Sequence, residues 1–280
     1  MKLTRHNTAD QFLGVTRDWL LCEEAANNLM LGIALRLKRS SVPCYLATVS
    51  DADGLALAAL HTPPFPITLV SPSQAPDEAL ALLARDLLEL GAPIVAASGR
   101  AHLAECFAAL WSRLKNVQYH VQMNMRVYEL HEVTPPPVRT GHFRIAEERD
   151  VPILTEWMRA FLNEALHGQD TDSAGPMTQR RVSDGELFVW EVEDQPVSMA
   201  ASTRPLITGI TVNMVYTPPA LRGKGYASVC VAGLSQHLLN EGWGYCTLFT
   251  DLDNPTSNSI YQKIGYRPVC DFVQVAFDSK

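Results

Sequence analysis

The stretch of this sequence best equipped for chemistry is Val215-Tyr216-Thr217-Pro218-Pro219-Ala220-Leu221-Arg222-Gly223-Lys224-Gly225-Tyr226-Ala227. The β-branched run Ile210 to Tyr216 predicts a strand, and Gly225 to Asn240 predicts a helix ended by Gly242. Between them lies a tight loop. The first N–H groups of a helix have no intrahelical partner and carry the positive end of its dipole, so this strand–loop–helix suits a phosphate. Gly223 and Gly225 let the backbone approach an anion without a Cβ in the way, and either can take a positive φ. Arg222 and Lys224 add full charges, which makes a pyrophosphate the fitting ligand. The dinucleotide fingerprint needs three glycines and a later acidic residue, and the nucleotide P-loop needs Gly-Lys followed by Ser or Thr. Neither pattern is present.

A second element follows about 30 residues on: Asn254-Pro255-Thr256-Ser257-Asn258-Ser259-Ile260-Tyr261-Gln262-Lys263-Ile264-Gly265-Tyr266. Together the two resemble the GNAT superfamily of N-acetyltransferases. Its loop signature is Arg or Gln, two residues, Gly, one residue, then Gly or Ala, which Arg222 to Ala227 matches. Its later motif has an Asn ahead of a helix carrying a Tyr, and a Gly leading into an aromatic residue. The resemblance covers roughly His142 to Phe277, with the specific motifs between Val215 and Tyr266.

This resemblance implies acetyl-CoA as co-substrate and a primary amine of a small molecule or peptide as acceptor. Val215, Tyr216 and Thr217 match the strand end whose free backbone groups bind the pantetheine arm as an added strand would. Arg222, Gly223, Lys224, Gly225, Tyr226, Ala227 and Ser228 match the residues that wrap the pyrophosphate. Asn254 looks like the residue that contacts the cofactor arm, and Asn258, one turn before Tyr261, either caps the helix or touches the cofactor. Tyr261 matches the general acid that protonates the departing thiolate. A helix-capping turn at Asn254 and a core-packing ring at Tyr261 are the plain alternatives. No residue fixes the general base; Glu191, Glu193 and His237 are weak candidates, and the two glutamates suit an exposed strand face. A non-catalytic acyl-CoA-binding regulatory module and a tandem-domain transferase of another acyl group are the competing readings.

The elements that must position these residues imply two domains, since 280 residues exceed one ordinary core. The break falls at Thr134-Pro135-Pro136-Pro137-Val138-Arg139-Thr140-Gly141, where consecutive prolines hold the chain extended. The expected division is 1–134, a proline-rich linker at 135–141, and 142–280. Both halves read as α/β units: a mixed sheet flanked by helices, with no residue-level repeat. In the first half the expected strands are Tyr45 to Ser50, Leu55 to His61, Ile67 to Val70, Pro93 to Ala97 and Gln118 to Val133. Its helices are Asp10 to Leu37 in one or two pieces, Asp77 to Leu90 after Pro76, and Ala101 to Leu114. In the second half, Phe143 to Ala146 leads into a helix from Asp150 to Leu166 and, from Thr171 to Ser183, a polar loop with room for some helix. A hairpin of Leu187 to Glu193 and Val197 to Thr203 comes next; Tyr245 to Thr250, Ser257 to Ile264 and Arg267 to Phe277 close the domain. The first half repeats strand, loop and helix after Ile67 to Val70 but has neither glycine nor cation in that loop. It reads as a degenerate, noncatalytic GNAT-like copy that shapes the acceptor cleft.

The composition supports a globular protein, with 47% apolar and 19% charged residues. A net charge of −7 argues against a nucleic acid as the main partner. No apolar run approaches the ~18 residues of a membrane span and the first residues lack a leader-like core, so a cytoplasmic protein without a membrane is expected. The six widely spaced cysteines predict reduced, mostly buried thiols and no metal site. Acceptor identity is not legible, and self-association into a homodimer stays open. The stripe Trp157, Phe161, Leu162, Leu166 reads as core.

Overall fold

A computed structural model describes residues 1–40, 42–72, 77–165 and 171–278. Pro76, Leu166 and His167 lie outside the described residues. The chain divides into two compact units: residues 1–127, 250–253 and 268–280 form unit 1, and residues 128–249 and 254–267 form unit 2.

Unit 1 contains strands β1 (Lys2–Arg5), β2 (Tyr45–Asp51), β3 (Gly54–His61), β4 (Ile67–Val70), β5 (Ala96–Arg100) and most of β6 (Tyr119–Leu130), with helices α1 (Ala9–Leu21), α2 (Asn28–Leu37), α3 (Asp77–Glu89) and α4 (Ala101–Lys115). Strands β1 to β4 pair antiparallel in sequence order, and β4 then pairs parallel with β5. The far side of β5 is taken by the last strand of the chain, β12 (Arg267–Phe277), which pairs antiparallel from Phe272↔Arg100 to Ala276↔Ala96. The units therefore do not part in the proline-rich segment alone, because ladder hydrogen bonds and apolar packing tie β12 to unit 1. Val273 and Val275 are buried against Ala104 and Ala108 of α4, and Phe277 packs on Trp111. Strand β1 carries too few apolar residues to announce itself in the sequence.

Unit 2 repeats the same pattern. Strands β7 (His142–Ile145), β8 (Leu187–Val192), β9 (Gln195–Thr203) and β10 (Gly209–Tyr216) pair antiparallel, and β10 pairs parallel with β11 (Tyr245–Asp251). The end of β6 lies beside β11, where Thr247 Oγ1 donates to the Tyr128 carbonyl at 2.8 Å. Helix α5 (Val151–Ala165) starts from a 3₁₀ turn closed by a capping box: Asp150 accepts from the Glu147 amide at 2.8 Å. Helix α6 (Ala174–Ser183) occupies most of the segment expected as a partly helical polar loop, because Ala174, Thr178 and Val182 recur at helical spacing and are buried. Trp157 and Leu162 are buried and Phe161 packs beside them, as a core stripe should. Helices α7 (Tyr226–Asn240) and α8 (Pro255–Lys263) complete the unit. Among the described residues no helix is long and apolar enough to cross a membrane. The six cysteines are free thiols, but only Cys230 and Cys246 are buried; Cys22 and Cys44 are exposed, which corrects the expectation of mostly buried thiols.

Candidate functional site

The pairing of β10 with β11 stops early. Gly209↔Tyr245, Ile210↔Cys246 and Thr211↔Thr247 are partners, yet β10 continues to Tyr216. On its other edge the register with β9 breaks between Asn213 and Tyr216. The cause is a bulge at Met214, which adopts φ +53°, with its amide donating to Asn213 Oδ1 at 2.7 Å. The last residues of β10, including Val215 and Tyr216, thus have their β11-facing backbone groups outside the ladder. Tyr216 is buried against Trp157, 6.3 Å between ring centres, and burial raises its phenol above the usual range. The Thr217 hydroxyl meets that of Ser198 at 2.9 Å.

A 3₁₀ turn (Pro219–Leu221) and the Arg222–Gly225 loop then lead into α7. Gly223 and Gly225 both take positive φ, +78° and +82°, and Gly225 is the N-cap of α7. No amide from Gly223 to Ser228 donates to another described residue. These unpartnered donors share one loop and one helix start, the arrangement that binds a pyrophosphate.

The cations differ from the sequence expectation. Arg222 is drawn back onto the end of β10: its guanidinium pairs with Glu164 at 2.7 Å, donates to the Thr217 carbonyl at 2.9 Å and stacks over the Tyr216 ring at 5.6 Å. Its charge is largely answered within the protein. Lys224 is exposed. The residue that takes Arg222's place at the loop is Arg139, whose Nε donates to the Lys224 carbonyl at 2.9 Å. A Cβ on Gly225 would lie 2.8 Å from that nitrogen. Sequence reasoning missed Arg139; the one available signal was a lone cation just after the three prolines, which hold it on a stiff stem.

The later motif forms a hydrogen-bonded corner. Asn254 is the N-cap of α8, its side chain accepting from the Ser257 amide at 3.0 Å. Asn258 donates to the Asn254 carbonyl at 2.8 Å and accepts from the Tyr128 hydroxyl at 3.0 Å. Gln262 donates to the same hydroxyl. Tyr261 is buried in the core that holds Ile210 and Val212 of β10, Leu248 of β11 and Cys230 of α7, with Val215 packed at its margin. Its ring meets Tyr266 edge-on at 5.9 Å. Burial pushes its phenol up to about 12, so it stays protonated at neutral pH.

None of the base candidates stands at the parted strands. Glu191 is buried on β8 and gripped by Arg144, which also binds Asp150 at 2.6 Å; Arg149 and His142 approach Glu191 at 3.5 and 3.4 Å. Hydrogen bonding to Arg144 holds the Glu191 carboxyl below its usual range, so it is a poor proton acceptor. Its burial also corrects the expectation of an exposed strand face. Glu193 sits at the hairpin turn with φ +49°. His237 lies near the far end of α7, between Phe188 and Phe143 and paired with Glu241 at 3.2 Å.

Six loop amides, two parted parallel strands and a buried tyrosine on a following helix define a class of protein, the GNAT fold, and the chain carries it in tandem. The family model described as FR47-like protein matches residues 192–273. An acetyltransferase from the GNAT family of Colwellia psychrerythraea aligns over 100% of both chains with a TM-score of 0.60 at 14% identity. A GCN5-related N-acetyltransferase from Sphaerobacter thermophilus aligns over 98% of this chain and 95% of its own, TM-score 0.63, 14% identity. A tandem GNAT protein from the clavulanic acid biosynthesis pathway covers 100% of both chains, TM-score 0.58, 13% identity. Among curated proteins, none matches the sequence.

Proposed function

We propose that this protein is an acetyl-CoA-dependent N-acetyltransferase acting on a primary amine, with unit 2 catalytic and unit 1 a degenerate copy. The observation that carries the reading is the continuity between the unpaired end of β10 and the free amides from Gly223 to Ser228. The first can hydrogen-bond an extended amide-bearing arm, and the second can hold a pyrophosphate joined to it. Acetyl-CoA presents both groups in that order. Arg139 and Lys224 supply charge to the phosphates.

In this reading a neutral amine attacks the thioester carbonyl where β10 and β11 part. Backbone N–H groups near Val215 stabilise the charge that develops on the carbonyl oxygen. As the carbon–sulfur bond breaks, the sulfur takes the Tyr261 proton, and the amine loses a proton to solvent or to a base outside the candidates above. The absence of Glu191, Glu193 and His237 from the parted strands supports a second reading, an acyl-CoA-binding module without turnover.

The test is calorimetric titration of acetyl-CoA, desulfo-CoA and NADH into wild type and Gly225→Glu. Micromolar binding of both CoA compounds, absent for NADH and lost in the folded variant, supports the site; unchanged affinity in the variant overturns it. A thiol-release assay over a panel of amines and acyl-CoA donors then separates enzyme from binding module.

A further inference from the structure

Unit 2 holds a cavity at the opposite end of α7 from the phosphate cradle. Fifteen residues of helix at ~1.5 Å each put the two about 22 Å apart. The cavity measures about 320 Å³, the size of a small-molecule site. Phe188, Ile210 and Trp243 give it an apolar lining.

Its charged lining is mainly acidic. Asp184, Glu186 and Glu241 line it, and no lysine or arginine does. Glu186 is answered by Arg181 at 2.8 Å and Glu241 by His237 at 3.2 Å, whereas Asp184 is exposed and has no ion-pair partner among the described residues. Two helices also end here: Asp184 is the C-cap of α6 and Glu241 the C-cap of α7, so the negative ends of both dipoles add to the carboxylates. A further observation points to an occupant. Thr203, 7% exposed, lines the cavity, and its Oγ1 is buried with no hydrogen-bond partner among the described residues. Orphaned buried hydroxyls are uncommon, and this one, on a residue of the cavity wall, meets a polar ligand group once the Thr203 side chain rotates toward it.

We propose that this cavity is a binding site for a small alkyl- or arylalkylammonium ion. The ammonium lies among the carboxylates and helix ends, the apolar part rests on Phe188 and Trp243, and Thr203 bonds a polar atom of the ligand. Ile210 of the cavity wall lies five residues before Val215 on β10, roughly 16 Å along the strand, which makes the occupant an effector and not the amine that would be acylated. The inference does not depend on acetyl transfer.

The experiment uses the full chain without acetyl-CoA and three isosteric probes: phenethylammonium, 2-phenylethanol and phenylacetate. Titrations are followed by calorimetry and by Trp fluorescence, with Trp243→Phe identifying the reporting residue. Phenethylammonium is expected to bind in the submillimolar range, the neutral alcohol about tenfold more weakly, and phenylacetate not at all. Asp184→Asn and Thr203→Val, checked for wild-type melting, should each weaken the cation severalfold. Gly225→Glu should leave it unchanged, which separates this cavity from the cradle. Equal affinity for all three probes, no binding of the cation, or indifference to both variants would overturn the proposal.

Discussion

Replacing Arg144 with Met removes the cation that bridges the buried carboxylates Asp150 and Glu191. The Asp150 and Glu191 side chains are 4% and 3% exposed, and Arg144 itself 13%. Removing one partner of a buried ion network strands the others without compensation, at a typical cost of ~3–5 kcal/mol. Arg149 and His142, both exposed, stay within 4 Å of Glu191, and Arg149 also lowers the Asp150 carboxyl through space, so the lower end, about 3 kcal/mol, is expected. At 2–4 °C per kcal/mol for a domain of this size, melting falls by roughly 6–12 °C. The pH dependence carries the sign. Burial raises the Asp150 carboxyl, but Arg144 and the Glu147 amide outweigh it, and Arg144 lowers Glu191 outright. Groups with lowered folded values stabilise the protein above their unfolded values near ~4 and lose that contribution as pH falls through the folded ones. Without Arg144 the same carboxyls are buried and lose their main partner, so their values rise and their penalty fades as they protonate. Urea denaturation of both proteins at pH 7 and pH 4.5 should therefore show a gap that shrinks at the lower pH. A variant within about 1 kcal/mol of wild type at pH 7, or a gap independent of pH, would refute this account.

Arg139→Ala should weaken acetyl-CoA binding about tenfold in a salt-dependent way, as loss of one charge-assisted phosphate contact predicts, while Arg222→Ala does less because Glu164 already answers that charge; calorimetry at two salt concentrations compares them. Gly223→Ala should lower stability by ~1 kcal/mol through its positive φ alone, since a Cβ there meets nothing within 4 Å; chemical denaturation measures it. Tyr261→Phe should lower kcat with little change in acetyl-CoA affinity, and equal kcat would reassign the ring to packing.

The cradle was legible because glycine type, strand period and helix start are local properties, and Gly223 and Gly225 adopt the positive φ that such a loop demands. Most strands and helices of each unit were legible in kind, from alternation and turn residues, but not which strand pairs with which. What escaped were long-range events. The destination of Arg222 depends on Glu164, 58 residues away, and the arrival of Arg139 at Lys224 spans 85. Burial of Glu191 depends on Arg144 across a strand pair, so a charged residue on β8 looked like surface. Strand β12 looked like the closing strand of the second half because its sequence says strand and nothing about which edge it joins. The bulge at Met214, on which the parting of β10 from its neighbours rests, has no residue signature, since methionine gives no hint of a left-handed backbone.

The placement of β12 has a consequence for how the protein is made. A ribosome finishes residues 1–127 long before residues 268–280, so unit 1 waits for its last strand until all of unit 2 has emerged. During that interval the β5 edge, Ala96–Arg100, is an open ladder over the apolar face of α4, a surface that other chains can join. Removing residues 268–280 would therefore damage the first half of the protein and not the half from which they were cut.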